Sequence, residues 1–334
     1  MLSEIVANLP HDLAAAIFVV IHLSPSHESL LPSILSRNAR LEAAHPSERE
    51  PIERGRIYVA PPDRHLIIEN GDVLLVHGPK ENRARPAIDP LFRSAAINYG
   101  PRVIGVILSG SLDDGAAGLR AIKNTGGIAI VQDPADANYP AMPASAIDNT
   151  SVDFIVKAGE IGPLLRSLVA EETSPKEVAE VMKGDLRKEM DMVEQRLEPE
   201  EMIEAVSKLG RISMFTCPEC HGALWEIKDG ELLRYRCHVG HAFSIESLDA
   251  DHGMKLESAL WSALRALEER GELARRLAKQ CRERGRERLA IRYERRAEEA
   301  DEQAESIRQM LVADPDKPIM SKPTDTSVAS PTNT

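Results

Sequence analysis

The chain has 334 residues, enough for two or three domains. Its 53 acidic side chains outnumber 41 Lys and Arg, which gives a net charge of −12, and only 4% of the residues are aromatic. This balance argues against a general nucleic-acid-binding protein, because such proteins carry a basic surface. The longest apolar run, residues 13–21, is too short to cross a bilayer. We therefore expect a protein that neither inserts into a membrane nor binds nucleic acid. The chain has four cysteines, three of them at metal-like spacing, which fits a reducing cytoplasm better than a disulfide framework.

In chain order, apolar residues at helical spacing predict a first helix over residues 2–9. An unbroken apolar run predicts a buried strand over residues 16–23, and His22 lies at its carboxyl end. A single histidine after such a strand is more often a core or loop residue than a functional one. Further along, the Asn70-Gly71 pair between two apolar runs predicts a β-hairpin.

The stretch 103–119 is the most informative part of the first half. Its apolar, β-branched residues 103–108 predict a strand buried in a parallel sheet, and a turn rich in Gly, Ser and Asp follows. Ligands of open α/β sheets bind at such carboxyl ends, so Asp114 is a candidate for chemistry. Asp113 and Asp114 could equally cap the following helix. From these residues alone the two interpretations are even.

Strands predicted at 128–131 and 154–156 alternate with helices, the last of them over 161–169, and a stiff loop is predicted at 139–143. This alternation predicts an α/β fold over residues 1–170, with a doubly wound, mostly parallel sheet and helices on both faces.

The second half divides by composition. We expect a helical linker over 171–211, a small zinc ribbon over 212–248, an α-helical hairpin over 249–313 and a disordered tail over 314–334. The hairpin is predicted from two apolar stripes at helical spacing, and Gly285 lies between them.

Cysteine spacing gives the most specific signal. Cys217 and Cys220 form a Cys-x-x-Cys pair, and Cys237 and His241 follow after sixteen intervening residues, which is typical of a structural Cys₃His zinc site. All four positions would be protein groups, so we expect structural Zn²⁺ and no open catalytic position. His221 and His238 are the alternative fourth ligands. The remaining cysteine, Cys281, continues a helical apolar stripe and is predicted to be a packed thiol.

The first 170 residues resemble the catalytic domain of the chemotaxis protein-glutamate methylesterases of the CheB type. The segments that carry this resemblance are FVVIHL (18–23), IYVAPPDRHL (57–66), RPAIDPLF (85–92), GVILSG (105–110), DGAAG (114–118), QD (132–133) and MP (142–143). The remainder resembles a C-terminal extension found in some members, and the phospho-receiver domain of other members has no counterpart here.

The resemblance implies an enzyme of chemotaxis signalling, a carboxylic ester hydrolase that removes methyl groups from glutamates of chemoreceptors and possibly deamidates glutamines. It implies a Ser-His-Asp mechanism in which His22 is the general base and Asp114 orients it. The backbone N–H of Ser111 would help to bind the oxyanion. The family usually has Gly-Met-Gly where this chain has Gly110-Ser111-Leu112, so a positive φ at Leu112 would be costly.

The family's nucleophile is a serine in a Gly-rich turn before the first helix, and this sequence begins inside that helix. The serine is therefore expected to be absent from the sequence as given. Two hypotheses follow: a working methylesterase whose gene product starts upstream, which we favour, or a non-catalytic module that binds chemosensory partners. Loss of a triad serine costs about six decades in rate. A substitute among Ser24, Ser26, Ser109 and Ser111 is disfavoured.

Overall fold

The computed structural model describes residues 1–23, 25, 28–171 and 180–312. These residues form two compact units, 1–252 and the part of the chain from 253 onwards. The predicted disordered tail, 314–334, lies outside the described residues. Within them, no helix is both long and apolar enough to cross a bilayer.

The first half alternates strands and helices. Its elements are α1 (Leu2–Ala7), β1 (Ile17–Val19), α2 (Leu31–Asn38), β2 (Glu42–Ala44), β3 (Arg49–Pro51), β4 (Arg56–Val59), β5 (His65–Glu69), β6 (Asp72–Val76), α3 (Ile88–Tyr99), β7 (Ile104–Ile107), α4 (Ala116–Asn124), β8 (Ile128–Gln132), α5 (Ala141–Asn149), β9 (Phe154–Val156) and α6 (Ala158–Val169).

Six of these strands form two parallel sheets, with strand orders β1-β4-β2 and β7-β8-β9. Along β8, Ile130 packs with α1 and α6, whereas Ala129 and Val131 pack with α4 and α5 on the other face. Alternate residues of a strand point to opposite faces, so both faces of this sheet are covered by helices. The predicted α/β fold is thus confirmed, although in the described residues its parallel strands form two separate three-stranded sheets.

A third sheet, β3-β6-β5, contains the predicted hairpin. Asn70 and Gly71 both have positive φ, 51° and 89°, as the two-residue turn between antiparallel strands requires. The segment predicted as a stiff loop differs, because α5 begins at Ala141 with Pro140 as its N-cap and Pro143 in its first turn. Proline is tolerated there, since the first N–H groups of a helix have no partner within it.

The rest of the first unit consists of two helices and a four-stranded antiparallel sheet of order β10-β11-β12-β13. The elements are α7 (Glu180–Val193), α8 (Pro199–Leu209), β10 (Arg211–Thr216), β11 (Ala223–Asp229), β12 (Leu232–Cys237), β13 (Ala242–Ser244) and the start of α9 (Ile245–Glu283). Helix α7 buries Met190 and Val193 against Ile67 of β5, so it contributes to the core.

In the second unit, α9 is followed by α10 (Glu287–Val312), with Gly285 at φ 70° between them. Salt bridges Arg275–Asp301 and Arg308–Glu268 connect the two helices, and their order along the chain shows that the helices run antiparallel. Small side chains such as Ala278 and Ala297 are buried in this hairpin, and Cys281 is buried with them.

Candidate active site

His22 and Asp114 come together at the carboxyl ends of two strands that belong to the two parallel sheets. His22 follows β1, Asp114 follows β7, and the two residues are 92 positions apart in the chain. The distance between His22 Nε2 and Asp114 Oδ2 is 2.7 Å, a short hydrogen bond. The parallel strands therefore present one histidine and one carboxylate to the same edge of the fold, as open α/β sheets do at their binding sites.

Asp114 is held by several donors. Its side chain is 2% exposed, and its carboxylate accepts hydrogen bonds from the Ile88 backbone N–H (2.7 Å) and the Asn82 side-chain amide (3.0 Å) as well as from His22. Burial raises the pKa of Asp114, but these hydrogen bonds and the charge of His22 outweigh burial and lower the pKa below its ordinary value. Asp114 is therefore an ionised carboxylate with a fixed orientation.

The pKa of His22 is shifted in the opposite direction. Burial lowers the pKa of its imidazole, but the hydrogen bond and charge of Asp114 more than compensate, so the pKa is raised above its ordinary value. The ring is 40% exposed, and its Nδ1 has no hydrogen-bond partner among the described residues. Asp114 thus binds one ring nitrogen and favours a proton on it, which leaves the other nitrogen free to accept a proton.

A groove of about 370 Å³ lies beside this pair. Its polar wall is braced by ion pairs: Lys80 contacts Glu219 at 2.9 Å, and Arg85 contacts Asp63 at 2.7 Å. Apolar side chains, among them Leu23 and Leu112, line the groove as well. The groove can therefore accept an extended side chain whose reacting end reaches His22.

The turn before Asp114 has the left-handed conformation that a glycine would adopt without strain. Leu112 has φ 60°, which costs a residue with a Cβ about 1–2 kcal/mol. Gly110 is fixed on both sides, since its N–H donates to the Tyr139 carbonyl and its carbonyl accepts from the Met142 N–H, each at 3.0 Å. The turn thus holds Leu112 at positive φ, and Ser111 lines the groove.

None of the described serines has a hydrogen bond to His22. The hydroxyl of Ser109 instead accepts from the Tyr139 N–H at 2.8 Å. Ser24 and Ser26 lie outside the described residues. The described residues therefore contain a hydrogen-bonded His-Asp pair, and no described serine hydroxyl is bonded to its imidazole.

Comparisons with known proteins identify the family of the first half of the chain. The sequence model of the CheB methylesterase family matches residues 1–165. A protein of Leptospira interrogans, named as a protein-glutamate methylesterase/protein-glutamine glutaminase, is 38% identical over 164 residues, which are 49% of this chain and 85% of the relative. This chain belongs to the CheB methylesterase family.

Other CheB-family relatives match the same half. A protein-glutamate methylesterase/protein-glutamine glutaminase of Anaeromyxobacter dehalogenans is 36% identical over 167 residues, and the match spans 49% of that protein. The CheB methylesterase catalytic domain of Thermotoga maritima is 33% identical, with a TM-score of 0.48, over 50% of this chain and 90% of the solved one.

Behind the CheB-family site, a buried network of charges connects three segments. Glu81 accepts hydrogen bonds from Arg93 (2.6 Å) and Arg236 (2.8 Å), and Arg236 also donates to Glu189 (2.9 Å), which pairs with Arg234 as well. Burial raises the pKa of Glu81, but the charges of Arg236 and Arg93 lower it to about 2. Since Glu189 belongs to α7 and both Arg234 and Arg236 to β12, the C-terminal elements are joined to the CheB domain by ionic contacts.

A candidate metal site lies in the four-stranded sheet. Ligand atoms of Cys217, Cys220, Cys237 and His241 all lie within 4.8 Å of one another. The distance between the sulfurs of Cys220 and Cys237 is 3.7 Å, and Cys237 Sγ lies 3.5 Å from His241 Nδ1. These four residues could hold a metal ion; neither His221 nor His238 belongs to the cluster.

Asp113 gives a pH-dependent prediction. The Ser244 hydroxyl donates to its Oδ1 at 2.6 Å. Burial raises the pKa of Asp113, the bond from Ser244 opposes this, and a hydrogen bond with the Glu246 carboxyl raises the pKa further, to about 8. The unfolded chain releases this proton near pH 4, so the native state holds one extra proton between pH 4 and 8. Stability must therefore fall in this window as the pH rises, by about 1.4 kcal/mol per unit from this group.

Asp113→Asn mimics the protonated acid, because its amide can donate to Glu246 while its oxygen accepts from Ser244. We expect the variant to match the unsubstituted protein at pH 4 and to exceed its free energy of unfolding increasingly up to pH 8. Urea denaturation at several pH values measures this. Asp229→Asn, at a partly exposed pair with Arg120, is the control. Parallel stability curves for Asp113→Asn and the unsubstituted protein would contradict the prediction.

Sequence reasoning missed two residues of the site. Asn82 bonds to Asp114, and Asp89, inside the RPAIDPLF segment, is buried and accepts from both Asn82 Nδ2 (2.9 Å) and the Gly118 N–H (2.6 Å). Burial and the charge of Asp114 raise the pKa of Asp89 to about 7. Asn82 lies in a polar loop without periodicity, so its sequence context carries no signal.

Proposed function

We propose that this chain is a protein-glutamate methylesterase that hydrolyses glutamate methyl esters on chemoreceptors and deamidates glutamines there. The observation that carries the proposal is the 2.7 Å hydrogen bond between His22 and the buried Asp114, at the rim of the groove. The names of the relatives, which describe both activities, support it.

In this mechanism His22 Nδ1 takes the proton of a serine hydroxyl as that hydroxyl attacks the ester carbonyl. Asp114 stabilises the imidazolium that forms. His22 then returns the proton to the departing methoxide, so methanol leaves and an acyl-enzyme remains. Water, deprotonated in turn by His22, releases the glutamate carboxylate and restores the serine. The Ser111 N–H stabilises the oxyanion in both steps.

Methanol release from a methylated chemoreceptor tests this proposal, with protein isolated from the native cells. The unsubstituted protein should release methanol, and His22→Gln should lower the rate by at least about a thousandfold. Release that is unaffected by His22→Gln would contradict the assigned base. Receptor binding without any release would favour the non-catalytic binding module.

We further propose that Cys217, Cys220, Cys237 and His241 bind a structural Zn²⁺. A tetrahedral ion with Zn–S of about 2.3 Å and Zn–N of about 2.0 Å requires S···S distances of about 3.8 Å and S···N distances of about 3.5 Å. The distances of 3.7 Å and 3.5 Å fit this geometry. Zinc would hold the turns of the four-stranded sheet together, and its four protein ligands would leave no position for substrate.

Cys220→Ser tests the metal site, because it removes one ligand and leaves the side chain almost the same size. Protein purified without chelator should contain one zinc per chain by native mass spectrometry, and Cys220→Ser should lose it and unfold at a lower temperature. Cys281→Ser, at a buried cysteine of the second unit, should keep the zinc. Equal zinc content in the two variants would contradict the proposed ligands.

The proposed partners are chemoreceptors and related chemosensory proteins, and the proposed compartment is the cytoplasm. Disulfides are rare in the reducing cytosol, and all four cysteines of the chain are free, which supports this compartment.

A further inference from the structure

Strand β13 lies directly against the segment that carries Asn82. The Asn82 N–H donates to the Ala242 carbonyl at 2.8 Å, and the Ala242 N–H donates to the Lys80 carbonyl at 3.3 Å. One residue before Asn82, Glu81 is bound by Arg236 of β12. Residues 80–82 are thus fixed by the four-stranded sheet through backbone hydrogen bonds and a buried ion pair.

The Asn82 side chain connects this contact to Asp114. Its Nδ2 donates to Asp114 Oδ1 (3.0 Å) and Asp89 Oδ2 (2.9 Å), while its Oδ1 accepts from the Ser244 N–H (3.0 Å) and the Ser247 hydroxyl (3.2 Å). A primary amide has two donor hydrogens and two acceptor lone pairs, and all four are used here.

This arrangement fixes the orientation of the amide. If the amide were flipped, its oxygen would face two carboxyl groups and its NH₂ would face two donors. Asn82, Ser244 and Ser247 are all buried, so water cannot readily replace the lost partners. The N–H of Ser244 and the hydroxyl of Ser247 therefore help to aim the Asn82 NH₂ at Asp114.

We propose that the segment from Ala242 to Ser247 is a positioning element for Asp114 that acts through Asn82. The four-stranded sheet is then part of the hydrolytic apparatus, and Asn82, whose side-chain amide is fully engaged with protein groups, is a positioning residue. The catalytic consequence rests on the function proposed above, whereas the effect on the His22–Asp114 pair does not.

Asn82→Gly tests this, because glycine accepts the positive φ of Asn82, 47°, and removes the amide. The readout is the pKa of His22, measured by NMR of histidine-labelled protein and assigned with His22→Gln. The charged groups around His22 are Asp114, Asp89 and, along the groove, Asp63, Lys80, Arg83 and Arg85. None of these is substituted in the test variants.

If Asn82 positions Asp114, its loss lets the carboxylate move from the imidazole. Burial is then less opposed, and the pKa of His22 should fall by about one unit. If Asn82 does not position Asp114, the carboxylate of Asn82→Gly stays in place with one hydrogen-bond donor fewer. It then stabilises the imidazolium of His22 at least as strongly as before. The pKa of His22 would then stay the same or rise, which would overturn the proposal.

Ser247→Ala is the second test variant, and it applies also if Asn82→Gly does not fold. It should lower the pKa of His22 by a smaller amount, whereas Ser262→Ala, on an exposed part of α9, should leave it unchanged. An unchanged pKa in Ser247→Ala would overturn the role of the C-terminal segment. The unsubstituted protein separates this result from the proposed function: a His22 pKa at or below its ordinary value would contradict the His22–Asp114 pair itself.

Discussion

Asp114→Asn is expected to lower kcat for methyl ester hydrolysis about ten-thousandfold, the loss seen when a triad carboxylate becomes an amide. The imidazolium of His22 would lose its counterion, and an amide N–H facing Nε2 would stabilise the wrong ring tautomer. The charge of Asp89 also acts on His22, but the 2.7 Å hydrogen bond to the imidazole is made by Asp114. Methanol release at saturating methylated receptor measures the change.

Asp153→Asn is the matched control for this substitution. Asp153 precedes β9, at the opposite edge of the sheet, where it pairs with Lys123 at 2.7 Å. Asp153→Asn should retain the kcat of the unsubstituted protein. If Asp114→Asn kept more than about a tenth of the activity while folding normally, Asp114 would not be the orienting carboxylate.

Glu81→Gln should have the largest effect on stability. Two arginines donate to Glu81, and both are almost completely buried. An amide in its place would turn an N–H toward one of them and leave Glu189 as the remaining counterion of both. Breaking a buried ion pair by removing one partner costs about 3–5 kcal/mol. That is a large fraction of the 5–15 kcal/mol that a folded protein typically has.

Urea denaturation followed by Trp225 fluorescence measures this loss, in a chain with Trp261→Phe so that only the first unit reports. Glu226→Gln is the control. It removes the partner of Arg211, which is 75% exposed, and should cost at most about 1 kcal/mol. Equal costs for the two variants would show that the buried network adds nothing beyond a surface pair.

Acid should reduce the difference in free energy of unfolding between Glu81→Gln and the unsubstituted protein. The pKa of Glu81 is lowered to about 2, so the stabilisation by its charge is present above the unfolded pKa of about 4.5 and is lost as the pH falls through 2. The stability of Glu81→Gln should therefore approach that of the unsubstituted protein between pH 4.5 and 2, as long as both remain folded.

The sequence by itself determined the features that depend on neighbouring residues. The apolar run of β7 and the Asn70-Gly71 turn predicted a strand and a hairpin, because local spacing and backbone preference decide these elements. The Cys-x-x-Cys pair indicated a metal site in the same way. His22 and Asp114 could be named as candidates because each follows an apolar strand, and the resemblance to the CheB family gave them roles.

Only the tertiary structure decided how these parts are connected. Glu81 and Arg236 are 155 positions apart, and Asn82 and Ser247 are 165 apart, yet each pair is in direct contact. In the sequence, Arg236 and Glu189 resemble the many charged residues of a solvated surface, and Asn82 resembles any polar loop residue. Their roles arise because burial makes a paired charge or a satisfied amide necessary, and burial depends on which distant segments pack together.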